Sequence, residues 1–432
     1  MLLRPLFHRE YVGSGPSRLG QLPGARGETS SQRAFRKSPS DHEYLVSSLR
    51  VGDFALSHDE AWDDEICPTA IKFPKYRETS HHGGRRRLAI GDEQGRVGVF
   101  TSDNGQGNAA GSSSSNGHSG WSKSSTWAAH RSYIYDLAWL SPTQLVTASG
   151  DRTLRLWDAE TCEYVSTFGC HPGTVRTVSP FNENPNLFVS GCRGGLVLIW
   201  DHRAKQNPNA RGPSGELCLM PSAEYDDLHC AAPKRRSGYR QPMAISSVLP
   251  TRDDRLLATA SVHGEVKFWD IRVVGRKQDP VQTIPTAPFV QGMQRRPGIT
   301  SLDFDPSGSK LLVSYRDADL VVYEWIHYNA KQRNPDHFRT FTGSEDRPYA
   351  CSSFYIHSCF SPDGNYILSG SGAGAGEDQA LIWDVYGPSP LPVAALRGHR
   401  DEVTGVHWDP SAFGTIATVS DDASARMQVF LD

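Results

Sequence analysis

The stretch 130–158 most constrains the fold of this chain, because its pattern recurs along the sequence. It reads HRSYIYDLAWLSPTQLVTASGDRTLRLWD. Two strand-like runs, 134–140 and 144–149, flank a Ser-Pro turn, and a Gly-Asp-Arg turn leads into a third run that ends at Trp157. Short β-prone runs separated by turn residues favour an antiparallel meander. Repeated meanders must bury their apolar faces against one another, which favours a closed all-β fold.

Seven copies of this unit can be traced by the residue at which the third strand ends. Those residues are Phe100, Trp157, Trp200, Trp269, Tyr323, Trp383 and Phe430. The 43 residues from Trp157 to Trp200 match the period of WD repeats, about 40–45 residues. Longer spacings contain polar inserts, which are predicted at 102–120, 204–241, 273–296 and 372–376. The sequence therefore predicts a seven-bladed WD40 β-propeller.

The last unit has no outer strand of its own after the third strand, and propellers usually borrow that strand from the N-terminus. The segment EYLVSSLRVGDF at 43–54 is predicted to supply it, so that 43–432 form one closed domain. Residues 1–42 are rich in Arg, Ser, Gly and Pro and poor in acids. We expect a disordered basic arm there. The alternative is an organelle transit peptide, although Gly and Pro would interrupt its helix.

Composition and motifs argue against several classes of function. The net charge is −3 and no apolar run approaches the length of a membrane span. The eight cysteines contain no C-x-x-C pair and are expected to be reduced thiols of an intracellular protein, with no metal site. The chain has no G-x-S-x-G, H-E-x-x-H or phosphate-binding loop. We therefore expect no enzyme activity and no cofactor.

The units resemble the WD-repeat family beyond the Trp-Asp pair. That family places a His before the first strand, a Ser or Thr on the second strand and an Asp in the next turn. The second unit carries the set His130, Ser149 (or Thr147), Asp151 and Trp157. Partial sets occur in the third unit (His171, Ser190, Trp200) and in the seventh (His399, Ser420, Asp422). The resemblance implies a buried, structural hydrogen-bonded chain and not a catalytic triad.

In such a fold, the loops before the first strands and the turns between second and third strands lie at one end of the ring. The basic residues at those positions are Arg131, Arg152, Arg193, His263, Arg316 and Arg400. The acidic residues are Asp92, Glu93, Asp317, Glu377, Asp378 and Asp401. Units two to four are basic at this end, whereas units six, seven and one are more acidic. Two interpretations stay open: a mixed solvated surface, or a substrate face for a partner of patterned charge.

Two neighbouring units share an arginine that the others lack. VLIWDHRAK and VKFWDIRVV place Arg two residues after the Asp, whereas LRLWDAE and ALIWDVY do not. Residues i and i+2 of a strand share a face, so Asp201 points with Arg203 and Asp270 with Arg272. Adjacent blades would bring both pairs to one rim. A local ion pair is the simpler interpretation, and if exposed it contributes at most about 1 kcal/mol.

The two boxes resemble the Trp-Asp-x-Arg motif of WD-repeat substrate receptors in cullin-RING ubiquitin ligases. The resemblance implies docking on the damaged-DNA-binding adaptor of the ligase. The residues that match the motif are Trp200, Asp201, Arg203, Trp269, Asp270 and Arg272. Arg suits this role because its planar fork holds carboxylates or carbonyls in pairs.

Over about 85–422 the chain is also similar to the denticleless (Cdt-two type) receptors, through stretches such as YDLAW and DPSAFGTIAT. That resemblance implies a nuclear, non-catalytic receptor for replication-licensing or cell-cycle proteins bound to the sliding clamp PCNA, with no membrane and no direct nucleic-acid contact. The family usually has a clamp-binding tail, whereas this chain stops at Asp432, so direct contact with PCNA stays open. The alternative function is a general WD-repeat scaffold in histone handling or RNA processing.

Overall fold

The computed structural model describes most of the chain from residue 52 onward. The described residues are 52–55, 66–75, 86–102, 121–204, 209–213, 215–226, 228–230, 241–273, 279–285, 297–324, 336–345, 349–372 and 378–429. The named elements within these ranges are all β-strands, joined by turns and loops and grouped into seven antiparallel sheets of four strands. Within these ranges there is no helix long and apolar enough to cross a membrane. The prediction of a seven-bladed propeller is confirmed.

Each sheet is one blade, and in blades one to six the strands follow chain order from the inside outward. A first strand, β1 (Gly52–Ala55), precedes the blades. Blade one consists of β2 (Pro68–Lys72), β3 (Arg87–Asp92), β4 (Arg96–Ser102) and β5 (Trp121–Ala128). Blade two consists of β6 (Ile134–Trp139), β7 (Gln144–Ser149), β8 (Leu154–Asp158) and β9 (Glu163–Phe168). Blade three consists of β10 (Val175–Pro180), β11 (Leu187–Cys192), β12 (Val197–Asp201) and β13 (Ala223–Tyr225).

The second half of the ring repeats this order. Blade four consists of β14 (Ile245–Pro250), β15 (Leu256–Ser261), β16 (Val266–Asp270) and β17 (Gln282–Ile284). Blade five consists of β18 (Ile299–Phe304), β19 (Lys310–Tyr315), β20 (Leu320–Glu324) and β21 (Asp336–Phe341). Blade six consists of β22 (Ser358–Phe360), β23 (Tyr366–Gly370), β24 (Asp378–Asp384) and β25 (Ala394–Arg397). Blade seven consists of β26 (Val403–Trp408), β27 (Thr415–Ser420), β28 (Ala425–Val429) and, outermost, β1.

The ring is closed by the N-terminal strand. β1 runs antiparallel to β28, with Gly52 opposite Val429 and Ala55 opposite Arg426. This pairing covers an edge that β28 would otherwise expose, which is how propellers avoid edge-to-edge association. Of the segment predicted to close the ring, 43–51 lies outside the described residues, as does the predicted arm 1–42.

Two of the segments predicted as inserts contain the outer strands of their blades. β13 lies within 204–241 and β17 within 273–296, and each is only three residues long. A strand of this length leaves almost no alternating pattern in the sequence, because two or three side chains cannot establish a period. The other predicted inserts fall largely outside the described residues, at 103–120 and 373–377.

Neighbouring blades are joined by side chains of the inner strands. Asp136 on β6 accepts a hydrogen bond from the backbone N–H of Val178 in blade three at 2.9 Å. Asp303 on β18 accepts one from Phe360 in blade six at 2.8 Å. Apolar side chains fill the space between sheets. One cluster joins blades three and four and includes the buried Trp269. Polar bonds at the centre and apolar packing farther out hold the ring together.

The buried chain of blade two uses Thr147 and not Ser149. His130 Nε2 lies 2.6 Å from Thr147 Oγ1, and Trp157 Nε1 donates to the same oxygen at 3.3 Å. His130 Nδ1 lies 2.9 Å from Asp151 Oδ2. Ser149 instead donates to the carbonyl of Ser132 at 3.2 Å. The reason is the register: both residues share a sheet face with Leu145, which lies opposite Trp157, but Thr147 is two residues from Leu145 and Ser149 is four, so Thr147 is the one that reaches the indole.

The same register corrects the end of blade seven. In blade two Leu145 lies opposite Trp157, and in blade seven Ile416 lies opposite Gln428. Gln428, and not Phe430, therefore occupies the place of the tryptophan. Its Nε2 donates to the carbonyl of Arg397 at 3.1 Å, so a polar side chain is accommodated at this buried position.

Candidate functional site

The two ends of the ring carry different parts of each blade. Third strands end in Trp-Asp pairs at one end, which we call the WD rim. It is defined by Asp158, Asp201, Asp270 and Asp384. The strands are antiparallel, so turns between second and third strands lie at the opposite end, which we call the turn rim. It is defined by Arg152, Arg193, His263 and Asp317.

On the WD rim, blades three and four present the same ion pair. Arg203 donates from Nε to Oδ1 of Asp201 at 3.1 Å and from Nη2 to Oδ2 at 3.0 Å. Arg272 repeats these bonds to Asp270 at 2.9 and 2.6 Å. In both boxes the backbone N–H of the arginine also donates to Oδ1 at 3.0 Å. The hydrogen bond from Arg272 lowers the pKa of Asp270, with burial opposing it.

Both arginines keep a large exposed surface while their carboxylate partners are mostly covered. The exposed side-chain fraction is 45% for Arg203 and 62% for Arg272, against 10% and 19% for Asp201 and Asp270. The two blades are tied together next to these pairs, because the Tyr225 hydroxyl donates to the carbonyl between Asp270 and Arg272 at 3.1 Å. The pairs thus lie on adjacent, connected blades of one rim.

The tryptophans predicted with these arginines do not reach the rim surface. Trp200 and Trp269 are buried, and their indole N–H groups donate to Ser190 and Thr259 at 2.8 Å. The same Thr259 hydroxyl contacts His229 Nε2 at 2.8 Å. The six residues predicted for docking therefore divide into an interior pair, a pair of positioning carboxylates and a pair of exposed guanidinium groups.

The corresponding place in two other blades has different chemistry. Two residues after the Asp, blade two carries Glu160, which pairs with Arg87 at 2.6 Å. Blade six carries Tyr386, whose side chain is largely exposed and packs over the Lys310 ammonium group at 5.2 Å. Among the described residues that follow a terminal Asp, the arginine is thus a feature of blades three and four.

The six cationic candidates of the turn rim differ in their exposure. The exposed ones are Arg131, Arg152, Arg193, His263 and Arg400. Arg316 is half-buried, donates to Asp317 at 3.0 Å and lies 4.3 Å from the ring centre of Phe354. Of the acids predicted beside them, Asp92 is fully buried and binds Arg96, so it is not a surface charge. Glu377 and the side chain of Asp378 lie outside the described residues.

A cluster of tyrosines on the turn rim was not predicted from the sequence. Tyr133 and Tyr135 of blade two lie 4.6 Å apart between ring centres, and Tyr355 lies within 6.0 Å of both. The Arg176 guanidinium group lies 5.6 Å from Tyr135 and 5.8 Å from Tyr355. Tyr355 belongs to the segment before blade six, which is not a neighbour of blade two. That segment therefore crosses the mouth of the central channel, and only the assembled ring brings these rings together.

Opposite charges flank this tyrosine cluster. Burial first, and then the charge of Asp421, raise the pKa of Tyr133. Asp421 is itself crowded: burial and then the charges of Asp401 and Glu93 raise its pKa. Burial raises the pKa of Tyr135, and the charges of Arg176 and the exposed Arg193 oppose that rise. The acidic blades one and seven and the basic blades two to four thus meet at an aromatic centre.

Comparison with known proteins agrees with this architecture. The WD40 family, described as WD domain, G-beta repeat, matches residues 121–158, 162–201 and 335–384. The denticleless protein homolog of Danio rerio is 29% identical over 410 residues, which is 93% of this chain and 57% of that protein. Denticleless protein homolog A of Xenopus laevis is 31% identical over 69% of this chain and 41% of that protein. Cell division cycle protein cdt2 of Schizosaccharomyces pombe is 26% identical over 70% of this chain and 59% of that protein.

The fold and these matches define a WD-repeat β-propeller protein. Within that class the chain is of the denticleless type, which confirms the resemblance seen in the sequence. It spans about half the length of the curated relatives it matches, between 38% and 59%.

Proposed function

We propose that this chain is a non-catalytic substrate receptor of a cullin-RING E3 ubiquitin ligase. It acts in the nucleus, docks on the damaged-DNA-binding adaptor through the WD rim and presents replication-licensing or cell-cycle proteins bound to PCNA from the turn rim. The observation that carries the proposal is the pair of exposed arginines, Arg203 and Arg272, at the same place in adjacent blades. Ubiquitin transfer takes place on a partner subunit, and the receptor contributes proximity.

The Asp-Arg geometry supports a docking role for these arginines. An exposed ion pair contributes only about 0–1 kcal/mol to folding, so the fold does not require it. Holding each guanidinium group against Asp201 or Asp270 restricts its rotamers before a partner arrives. Immobilising a long side chain on binding costs about 0.5–1.5 kcal/mol, and a guanidinium group that is already held loses less of this entropy.

The charge division of the turn rim supports its use as the substrate face. Complementary charge mainly sets specificity and the rate of association. Aromatic side chains beside arginines, as in the cluster of Tyr133, Tyr135, Tyr355 and Arg176, supply the kind of anchor that dominates protein interfaces. A partner segment with both acidic and basic residues would meet cations over blades two to four and carboxylates over blades seven and one.

The docking proposal is tested with the double variant Arg203→Ala, Arg272→Ala. We expect it to lose co-purification with the recombinant damaged-DNA-binding adaptor while its circular dichroism and melting temperature stay near those of the parent. A matched control replaces two exposed arginines of the other rim, Arg152→Ala with Arg193→Ala, and should bind the adaptor normally. Normal adaptor binding by the Arg203 and Arg272 variant would refute the docking assignment.

The substrate face has a separate test in the charge reversal Arg152→Glu, Arg193→Glu. Capture of a replication-licensing protein loaded on PCNA should weaken, whereas adaptor binding should persist. Loss of both activities, or of neither, would contradict the assignment of separate rims. Pull-down mass spectrometry of the parent chain distinguishes the alternative scaffold function, which predicts complexes that lack the adaptor.

A further inference from the structure

Three sulfur atoms meet on the outer side of the propeller, beside blades two and three. Cys170 Sγ lies 3.6 Å from Met220 Sδ, and the thiols of Cys170 and Cys218 are close enough to share a hydrogen bond. The Cys218 sulfur also packs against the backbone just before Cys170, because a β-carbon built on Gly169 would lie 2.9 Å from it. Cys170 is thus the centre of a cluster with two thiols and one thioether.

Backbone pairing assembles this cluster from distant parts of the sequence. Cys170 follows β9, and the segment that carries Cys218 and Met220 runs along the same strand. The N–H of Leu219 donates to the carbonyl of Thr167 at 2.8 Å, and Leu219 forms a parallel bridge with Phe168. In an extended segment residues i and i+2 share a face, which explains why both neighbours of Leu219 contact Cys170.

The cluster is open to solvent on one side only. Cys218 is buried, whereas Cys170 and Met220 are exposed. A cleft of about 310 Å³ adjoins Cys170 and is lined by Glu224 and Asp226 among others. Carboxylates at this place favour the approach of a cation.

We propose that Cys170, Cys218 and Met220 form a binding site for a soft monovalent metal ion, Cu(I), held by two thiolates and a thioether. Thiolate and thioether sulfur are the ligands that select Cu(I). Zinc sites instead draw on Cys, His and carboxylate ligands, usually four of them. The described residues contain no group of three His, Cys, Asp or Glu side chains suited to a metal, so this sulfur set points to a soft ion.

The site departs from the expectation of no metal site. Ligand pairs at short spacing are the sequence signal of a metal site, whereas Cys170 and Met220 are 50 residues apart. The contact also joins the outer edge of blade two to a segment predicted as an insert. The inference does not rest on the proposed ligase function, because it is argued from the sulfur contacts alone. The cleft beside Cys170 also includes Gly194 and Gly195, which follow Arg193 in the turn-rim loop of blade three.

Proton release gives the site a measurable signature. A cysteine thiol ordinarily has a pKa of about 8.5, so each thiol is mostly protonated near neutral pH and releases its proton to solvent when it binds Cu(I) as a thiolate. With two protons released, the apparent affinity should rise about 100-fold for each pH unit between pH 6 and 8.

The test is a competition titration of the purified full chain with Cu(I) and bicinchoninate under anaerobic conditions. The parent chain is expected to withhold one equivalent of Cu(I) from the dye. Cys170→Gly should reduce the affinity at least 100-fold. It should remain folded, because Cys170 has φ of 91°, a conformation that glycine adopts readily. Met220→Leu keeps the apolar volume and should reduce the affinity about tenfold through loss of the thioether ligand.

The matched control is Cys162→Gly, since Cys162 is the neighbouring cysteine with positive φ, 59°. It should bind Cu(I) as the parent does. The proposal is overturned if the parent withholds no Cu(I), if Cys162→Gly loses as much affinity as Cys170→Gly, or if affinity changes only tenfold or less per pH unit. The last result would mean that the two thiolates do not act together.

Discussion

Blades two and three have the same buried chain and differ where that chain reaches the two rims. In each blade a hydroxyl joins the histidine to the tryptophan: Thr147 in blade two and Ser190 in blade three. At the WD rim, blade two presents Glu160 and blade three presents Arg203. The blade thus keeps its architecture while the side chain two residues after the terminal Asp changes from an acidic to a basic one. That position is therefore available for function.

The hydrogen-bonded chains of blades two and three also differ at the turn rim. In blade two Asp151 binds His130, and the hydrogen bonds of Asp151 to His130 and Thr153 outweigh the effect of burial and lower its pKa to about 2. Blade three has Gly194 in the corresponding turn. There the Nδ1 atom of His171 has no hydrogen-bond partner within the described part of the chain. The buried chain therefore depends on the shared hydroxyl more than on the carboxylate.

The largest expected effect comes from removing the tryptophan that ends the third strand in either blade. Trp200 is fully buried and lies 5.4 Å from the ring centre of Phe168. Trp200→Ala should lower the free energy of unfolding by about 3–5 kcal/mol, because it leaves a large cavity. Urea denaturation measures this, with Trp157→Ala as the matched variant in blade two. A loss below about 1 kcal/mol would show that blade three does not rely on its tryptophan.

Removing the hydroxyl that joins histidine to tryptophan should destabilise the two blades by different amounts. Ser190→Ala removes the partner of His171 Nε2 and of the Trp200 indole N–H, so that neither ring nitrogen of His171 is then paired within the described part of the chain. After Thr147→Val, by contrast, Asp151 still holds His130. Unpaired buried polar groups cost about 1–3 kcal/mol, so Ser190→Ala is expected near the upper end and Thr147→Val near the lower. Equal losses in urea denaturation would contradict the idea that Asp151 supports its chain independently.

The sequence predicted the parts of the fold that repeat locally. The third strands, the seven blades and the histidines of blades two, three and seven follow from short patterns with a period close to that of WD repeats. Asp201 with Arg203 and Asp270 with Arg272 also followed from local spacing, because a bidentate pair between residues i and i+2 needs no distant contact.

Features that depend on distant pairing were not predictable in this way. Gln428 takes the tryptophan position of blade seven only through its register with Ile416. His229 completes the chain of blade four from within a predicted insert. Tyr355 reaches Tyr133 only because the ring places blades two and six around one channel. Each case follows from tertiary geometry, for which a single sequence carries no periodic signal.

Lowering the pH should destabilise the folded ring through its buried histidines, among them His171 of blade three. Burial lowers the pKa of His171 to about 3. Below pH 6.5 the unfolded histidine binds a proton that the folded one does not, so stability falls as the pH falls. From pH 7 to 5.5 this loss is about 1 kcal/mol for His171. In blade two burial lowers the pKa of His130 too, with the hydrogen bond to Asp151 opposing, so His130 adds a loss of the same sign. Asp151 adds none in that range, since its contribution disappears only as the pH falls below about 3.8 toward its folded pKa of about 2.

The measurement is urea denaturation at pH 7 and pH 5.5 for the parent and for His171→Gln. The variant should be less stable at pH 7 but should show a smaller difference between the two pH values. His229→Gln is the matched variant in blade four, because burial also lowers the pKa of His229 to about 3. It should reduce the pH dependence of stability by a similar amount. An unchanged pH dependence in His171→Gln would indicate that His171 can be protonated within the folded blade.

The smallest expected effect on stability comes from the residue on which the proposed function depends most. Arg203→Ala removes a half-exposed ion pair and should change the free energy of unfolding by less than about 1 kcal/mol. Glu160→Ala, which breaks the pair with Arg87 at the corresponding place in blade two, should have an effect of similar size. A loss above about 2 kcal/mol for Arg203→Ala alone would make the arginine part of the fold. In that case weakened adaptor binding by the double variant could reflect either a lost docking contact or a damaged blade. A change in unfolding free energy below about 1 kcal/mol is therefore required before Arg203 and Arg272 can be assigned to docking.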